Sequence, residues 1–316
     1  MSSTTTAAPR GAARPPVAAA SRRRSSLKRP EKIAGYLFVT PFLVVFLAMI
    51  VMPLVYSGYL SLFREQLVGG NAFVGLQNYV DALRDAAFIE GVLRVVRFFF
   101  LQVPLMLALG LLFALILDSG RLRLKRFVRL SIFVPYAVPS VIAAIMWGYL
   151  YGPDFGPFAQ LADAVGAPAP QFLSAQWMLP SIANIVTWTF AGYNMIILYA
   201  ALRSIPTELY EAARIDGAGE VRIAWSIKVP AIRPALLLTL IFSIIGSFQL
   251  FNEPNLMRNL APNVIGTSYT PNLYAYNLAF VNQEINYAAA IAFLLGFVVM
   301  IVSYAVQLST QRRERR

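Results

Sequence analysis

The chain is 316 residues long, with 58% apolar and only 13% charged residues, whereas charge takes up about a quarter of a typical soluble domain. It lacks both cysteine and histidine, which removes disulfides, thiol nucleophiles, Cys-based metal sites, and the commonest metal ligand and general base, so neither a metal site nor hydrolytic or redox catalysis is expected. The net charge of +12 suits either nucleic acid or the Lys and Arg that membrane proteins gather in cytoplasmic segments; their positions favour the membrane and no nucleic-acid partner.

Residues 1–32 are rich in Ala, Pro, Ser, Thr and Arg, a composition that cannot bury enough surface to fold, so a disordered basic cytoplasmic tail is expected. Its cluster Arg22, Arg23, Arg24, Lys28, Arg29 and Lys32 either orients the first helix or binds anionic membrane lipid at roughly 1 kcal/mol per charge. The apolar run 33–63 is too long for a signal-peptide core and has no small-residue cleavage site, so it is a retained membrane helix. Further runs at 95–117, 128–151, 178–202, 234–252 and 285–309 are each near the roughly 20 residues that cross the hydrocarbon. An all-α membrane protein with six spans is expected. Pro41, Pro53, Pro104, Pro135 and Pro139 fall inside these runs, where neighbouring helices can satisfy the freed carbonyls.

Lys and Arg fix the orientation. They crowd the N-terminal tail, the loop after the second run (Arg121, Arg123, Lys125, Arg126, Arg129), the segment 203–233 and the C-terminus 310–316. The alternate loops, about 64–93, 152–177 and 253–284, are long and poor in Lys and Arg. Both termini and the 203–233 loop are therefore expected in the cytoplasm, with Trp147, Tyr149, Tyr151 and Trp177 at the outer interface.

Within 33–63, 98–117, 130–151, 178–202, 234–252 and 285–309, the hydrocarbon-crossing parts of these runs, there is no Asp, Glu, Lys, Arg or His. Proton relays and voltage sensors need such groups, so a transporter built this way would draw its energy from elsewhere, although sodium sites made of carbonyls and hydroxyls stay possible. There is also no Gly-rich G-x-x-x-x-G-K-[ST] loop to cradle a nucleotide, and no internal repeat.

The polar island Tyr210–Gly219 lies between two long apolar runs. Thr207 is a plausible N-cap, Glu208 favours the positive end of a helix dipole and Gly217 is a natural helix stop, which predicts a short helix of about ten residues. Such a helix is marginal alone and needs a partner or the bundle. Glu211 and Arg214 are spaced to pair at i, i+3, while Ala212, Ala213 and Gly217 offer small surfaces for seating in a groove. A solvated surface connector is the plain alternative.

Glu211-Ala212-Ala213, Asp216-Gly217 and Ile227-Lys228-Val229-Pro230 resemble the EAA motif of binding-protein-dependent ABC importer permeases, with Val229 where the family usually has Leu. Phe133-Val134-Pro135-Tyr136-Ala137-Val138-Pro139-Ser140 and Ile205-Pro206-Thr207-Glu208-Leu209-Tyr210 extend the resemblance to the larger permease subunit of maltose-type carbohydrate importers. The resemblance covers 33–309 as a transmembrane permease domain and implies a type I ABC importer transmembrane domain. It further implies a multi-pass inner-membrane location, a second permease subunit, two ATP-binding subunits and an extracytoplasmic solute-binding protein. ATP and Mg would be bound by the partner ATPase, with no cofactor in this chain. Glu211, Ala212, Ala213, Asp216, Gly217, Ile227 and Pro230 would then couple to that ATPase.

Tyr193 falls where the maltose-type subunit has a sugar-contacting tyrosine, and Ser243 and Ser247 fall on the fifth-span face that carries its other contacts. Ser243, Ser247 and Leu250 share one helix face at i, i+4, i+7. Their hydroxyls serve either sugar contact or interhelical hydrogen bonds. Leu250 stands where the relative has an amide. Asn194, Trp188, Gln249 and Asn252 are further candidates. An ATP-independent secondary transporter or channel, a membrane-anchored scaffold and an importer of glycerol phosphate remain open alternatives; a phosphate cargo would want a cationic site, and the spans offer no Lys or Arg.

Overall fold

The computed structural model describes residues 29–66, 69–120 and 122–314. The expected tail through Lys28, together with Arg121, Arg315 and Arg316, lies outside the described residues. The last residues assigned to that tail are helical, since α1 begins at Arg29 (Arg29–Phe46).

The chain divides into two compact units, Met1–Leu54 and Val55–Arg316. In the first, α1 passes into a π-helical turn, Leu47–Val51, and the start of α2 (Met52–Leu60). That wide turn immediately precedes Pro53, whose missing N–H interrupts the α-helical ladder. Thr40 Oγ1 donates to the Tyr36 carbonyl at 2.6 Å, just ahead of Pro41.

The second unit opens with a hairpin of β1 (Phe63–Gln66) and β2 (Gly70–Phe73), paired Phe63 to Phe73, followed by α3 (Gln77–Ala82). Helix α4 spans Ala86–Asp118, 33 residues, and starts well before the expected 95. Its cap explains the extension: Asp85, in an extended conformation, accepts from Ala87 N at 2.9 Å and Phe88 N at 3.4 Å. Glu90 and Arg94 pair along the first turns, so their charge does not stop the helix.

The expected third span, 128–151, is two helices. α5 (Lys125–Ala137) and α6 (Ser140–Leu150) meet at 97°. Val138 is extended at φ −78°, ψ 125° because the ring of Pro139 disfavours helical backbone in the residue before it. Short α7 (Pro157–Ala164) follows, then the 25-residue α8 (Met178–Leu202). After α9 (Glu208–Ile215) come α10 (Glu220–Ile223), a π turn Ala224–Lys228 and α11 (Val229–Ala231). This segment bends by 69° into α12 (Arg233–Phe248) between Pro230 and Pro234. α12 ends before the expected 252, and α13 (Asn252–Leu260), α14 (Pro271–Phe280) and α15 (Ile285–Glu314) complete the chain. Among the described residues four helices are long and apolar enough to span a membrane, and the number reaches six only when each bent pair counts as one span.

Helices α4 and α8 form the most extensive pairing. A Cβ on Gly110 would stand 3.1 Å from the Asn194 Cβ, and one on Gly192 would collide with the Ile132 carbonyl of α5, so glycine sets how closely α8 approaches both neighbours. One core cluster joins Phe98, Met178, Ile182, Ile185 and Met257; another, towards the far end of α4, joins Ala114, Leu117, Met195, Leu198 and Ile232. Phe100, Leu105, Ile142, Ile145 and Met300 stay exposed, the lipid-facing side expected of helices whose solvent is hydrocarbon.

Candidate functional site

Two features of the second unit bring together the residues singled out in the sequence: the surface around α9, and a cavity between α4, α8 and α12.

Around α9, only Tyr210 of the helix is buried. Glu211, Ala212, Asp216 and Gly217 are exposed and Ala213 is half-buried. Gly217 adopts φ +80° with nothing near the position of a Cβ, and the Ala218 N–H reaches back to the Ala213 carbonyl at 2.9 Å. This left-handed closure stops the helix as its sequence anticipates. Exposed Ile215 (86%) and Val221 (73%) flank it, so the face carries apolar as well as charged groups. Ile227 is half-buried within the π turn and Pro230 sits in α11.

Two local expectations fail. Thr207 has helical backbone angles and its side chain caps nothing, because a capping side chain reaches the second or third amide from extended backbone. The Thr207 carbonyl instead accepts from Tyr210 N at 3.0 Å. Arg214 pairs with Glu220, Nη2 to Oε1 at 3.1 Å, and not with Glu211, which leaves the Glu211 carboxylate on the open face.

Sequence reasoning missed the group beneath α9. Lys228, quoted within the EAA resemblance but given no role, is buried: its Nζ donates to Asp118 Oδ2 at 2.6 Å, with the two side chains 5% and 4% exposed. The ammonium also lies 4.7 Å from the centroid of the Tyr210 ring. One cation thus ties α9, the π turn ahead of α12 and the last residue of α4. The available signal was Asp118 itself, an acid closing a long apolar run, where the helix dipole disfavours it unless a cation is near. Burial pushes the Tyr210 hydroxyl up, and neighbouring Asp118 adds to this.

The cavity, of about 280 Å³, is lined by Gln102 and Met106 of α4, Tyr193 and Asn194 of α8, Ser243 and Ser247 of α12, Ser140 at the α6 start, and the turn from Gln249 to Glu253. The structure therefore places Tyr193, Asn194, Ser243, Ser247, Leu250, Gln249 and Asn252 on one cavity. Trp188 is absent from the lining; its ring packs edge-on to Trp147 at 5.9 Å. Tyr193 is stacked on Tyr136 at 4.8 Å. The serine hydroxyls make no interhelical bonds. Ser243 Oγ donates to the Thr239 carbonyl at 2.7 Å and Ser247 Oγ to the Ser243 carbonyl at 2.8 Å, bonds within one helix. Leu250 lies past the helix end, but its carbonyl accepts from Thr270 Oγ1 at 3.0 Å, which holds it against the same space.

Gln102, Ser140 and Glu253 were not singled out as site residues. The first is 1% exposed within α4, where an amide in an apolar helix is the readable signal. Glu253 is buried at the cavity wall, and burial pushes its carboxyl above the ordinary range, its own backbone N–H opposing this in part.

The N-terminal end of α4 is held differently. Asp85 also accepts from the hydroxyls of Tyr274 at 2.7 Å and Tyr287 at 2.9 Å. Burial pushes its carboxyl up, but these bonds and the two helix amides outweigh it and hold the group below its usual range.

Residues 106–316 match the family described as binding-protein-dependent transport system inner membrane component. The chain is 30% identical to the lactose transport system permease protein LacF of Rhizobium radiobacter, over 89% of this chain and 95% of that one. It is 32% identical to the trehalose/maltose transport system permease protein MalF of Thermococcus litoralis, over 80% and 85%. In fold it is similar, at TM-score 0.80 and 20% identity, to a chain in the crystal structure of a bacterial ABC transporter that imports the acidic polysaccharide alginate, covering 90% of this chain and 96% of that one.

Proposed function

From the premise that this chain belongs to the binding-protein-dependent transport system inner membrane components, and is thus a multi-pass inner-membrane permease and not an enzyme, we propose that it forms half of the pathway of an ATP-driven importer for an oligosaccharide. The observation that carries the reading is the open α9 face. A short helix, closed by left-handed Gly217 and bearing Glu211, Ile215 and Val221 to solvent, is poorly stable alone and suits a groove on a partner. That partner is an ATP-binding subunit, which holds ATP and Mg; this chain supplies no cofactor site. A second permease subunit completes the membrane pathway, and a second ATP-binding subunit serves it.

The charge distribution supports an α9 face and termini in the cytoplasm. The hairpin face, with its polar groove of about 710 Å³ between Arg64, Gln66 and Asn286, then meets an extracytoplasmic solute-binding protein. Relatives that carry lactose and trehalose or maltose support a sugar as cargo, and the acceptor groups of the cavity suit one.

Deletion of the ATP-binding subunit in the native host tests the reading. Uptake of the cargo is expected to stop, and this chain is expected to co-purify that subunit from wild-type membranes. Uptake that persists after the deletion would sink the proposal.

A further inference from the structure

Resting on the carbohydrate reading above, we infer that Glu253 is a specificity-determining residue of the cavity: its carboxylate accepts hydroxyl hydrogens of a glycan without anionic groups and turns away glycans that carry carboxylate or phosphate.

Glu253 differs from the exposed unpaired acids of the second unit in being buried, and from the following acids in lacking a partner. Asp81 is met by Arg64, Asp85 by two tyrosine hydroxyls, Asp118 by Lys228 and Glu220 by Arg214. Glu253 is 9% exposed as a residue. Yet among the described residues no cation pairs with it and no other residue donates to its carboxyl. A buried carboxylate without partners costs several kcal/mol, and the side against which Glu253 lies is the cavity.

The rest of the lining points the same way. Ser243 and Ser247 spend their hydroxyl hydrogens on their own helix, Asn194 Nδ2 donates to the Phe190 carbonyl at 3.0 Å, Asn252 Nδ2 donates to Ser140 Oγ at 3.0 Å, and Gln102 Nε2 contacts Met106 Sδ at 3.1 Å. Those hydrogens are engaged, while the Tyr193 hydroxyl and the Gln249 amide still offer donors, and no Lys or Arg lines the space. A ligand that brings donors therefore meets several acceptor oxygens and one carboxylate, and no cation. Neighbouring sugar hydroxyls are such donors, and a carboxylate can take two of them in charge-assisted bonds. An anionic sugar would instead face an unneutralised carboxylate in low dielectric. The fold itself does not forbid acidic cargo, since an alginate importer shares it, so selection falls to the lining.

The probe is the cargo released by denaturing the cognate binding protein and identified by mass spectrometry, and uptake is measured in proteoliposomes holding the complete importer. The cargo is expected to be a glycan without anionic groups. Glu253→Gln, nearly isosteric, is expected to raise KM about ten- to hundredfold, the worth of hydrogen bonds to a charged group, while Glu253→Asp, which keeps the charge, recovers part of that loss. Unchanged KM in Glu253→Gln overturns the inference. So does an anionic glycan as cargo, which leaves the carbohydrate reading standing. Should Glu253→Gln fail to assemble, Glu253→Asp decides by its own KM, whose constancy also overturns the inference. A cargo that is not a carbohydrate defeats the reading on which the inference rests.

Discussion

Helix α4 carries an aspartate at each end, and the two are held by opposite means. Asp85 stands before the first turn, where the positive end of the helix dipole already favours it, and neutral donors suffice: two amides and the hydroxyls of Tyr274 and Tyr287. Asp118 closes the last turn, where the dipole opposes a negative charge, and it is paired with a full cation, Lys228. The first end is fastened to α14 and α15 within the hairpin face. The second is fastened to the segment that carries α9. Lys228 and Tyr210 thus link α9 to α4 and to the segment ahead of α12, whereas the Asp85 end is held by neutral donors of α14 and α15.

The comparison breaks most visibly at Lys228. Lys228→Met leaves Asp118 buried without its cation, at an expected cost of about 3–5 kcal/mol. Thermal unfolding of the purified complex should shift sharply down. Adding Asp118→Asn to Lys228→Met should recover much of this loss, because removing both charges is far cheaper than removing one. If the double variant is as unstable as the single, the ion pair is not what holds α9 to α4.

Asp85→Ala should cost less, about 0.5–2 kcal/mol for a lost cap, read as a smaller fall in midpoint. The pH dependence of this end has a definite sign. The folded-state carboxyl lies below its ordinary value, so its stabilisation is present above the unfolded pKa and disappears as pH falls through the folded one. Acid should therefore close the gap between wild type and Asp85→Ala; a gap that widens in acid contradicts the assignment.

Gly217→Val is next, about 1–2 kcal/mol for a side chain forced into left-handed backbone. No atom of this chain stands near a Cβ there, so the complex should still insert, while ATP hydrolysis and uptake separate. Wild-type uptake per ATP hydrolysed would remove α9 from the coupling path.

Much of the bundle was legible because period and length speak directly: α8 and the left-handed stop at Gly217 lie where the residues indicate. What stayed hidden depended on contacts far apart in sequence or on local bends. Pro139 was noted, but the size of the turn between α5 and α6 depends on what each half packs against. Lys228 and Asp118 are 110 residues apart, and nothing in composition pairs them. Glu253 falls one residue past the expected run 234–252, and its place on the cavity wall depends on where α13 begins, at Asn252. Trp188 failed for a related reason: its position in α8 suits the cavity, but Trp147 of the bent α6 takes its ring.

The smallest effect on stability, and the sharpest on the cavity, is expected at Ser243 and Ser247. Both hydroxyls are bonded within α12, so neither ties two helices together. Removing a serine back-bond from a helix costs little, since the carbonyl it met keeps its own ladder partner. The Ser243→Ala, Ser247→Ala double variant should therefore unfold within about 0.5 kcal/mol of wild type, the usual span for changes that leave packing intact. Each oxygen still presents lone pairs to the cavity, and a sugar hydroxyl that met them would lose two acceptors. Uptake should then show a raised KM with little change in kcat, the pattern of lost ground-state binding. A large drop in stability with unchanged KM would reverse the assignment and make the serines part of the bundle's packing, leaving Tyr193, Asn194 and Glu253 to recognise the cargo.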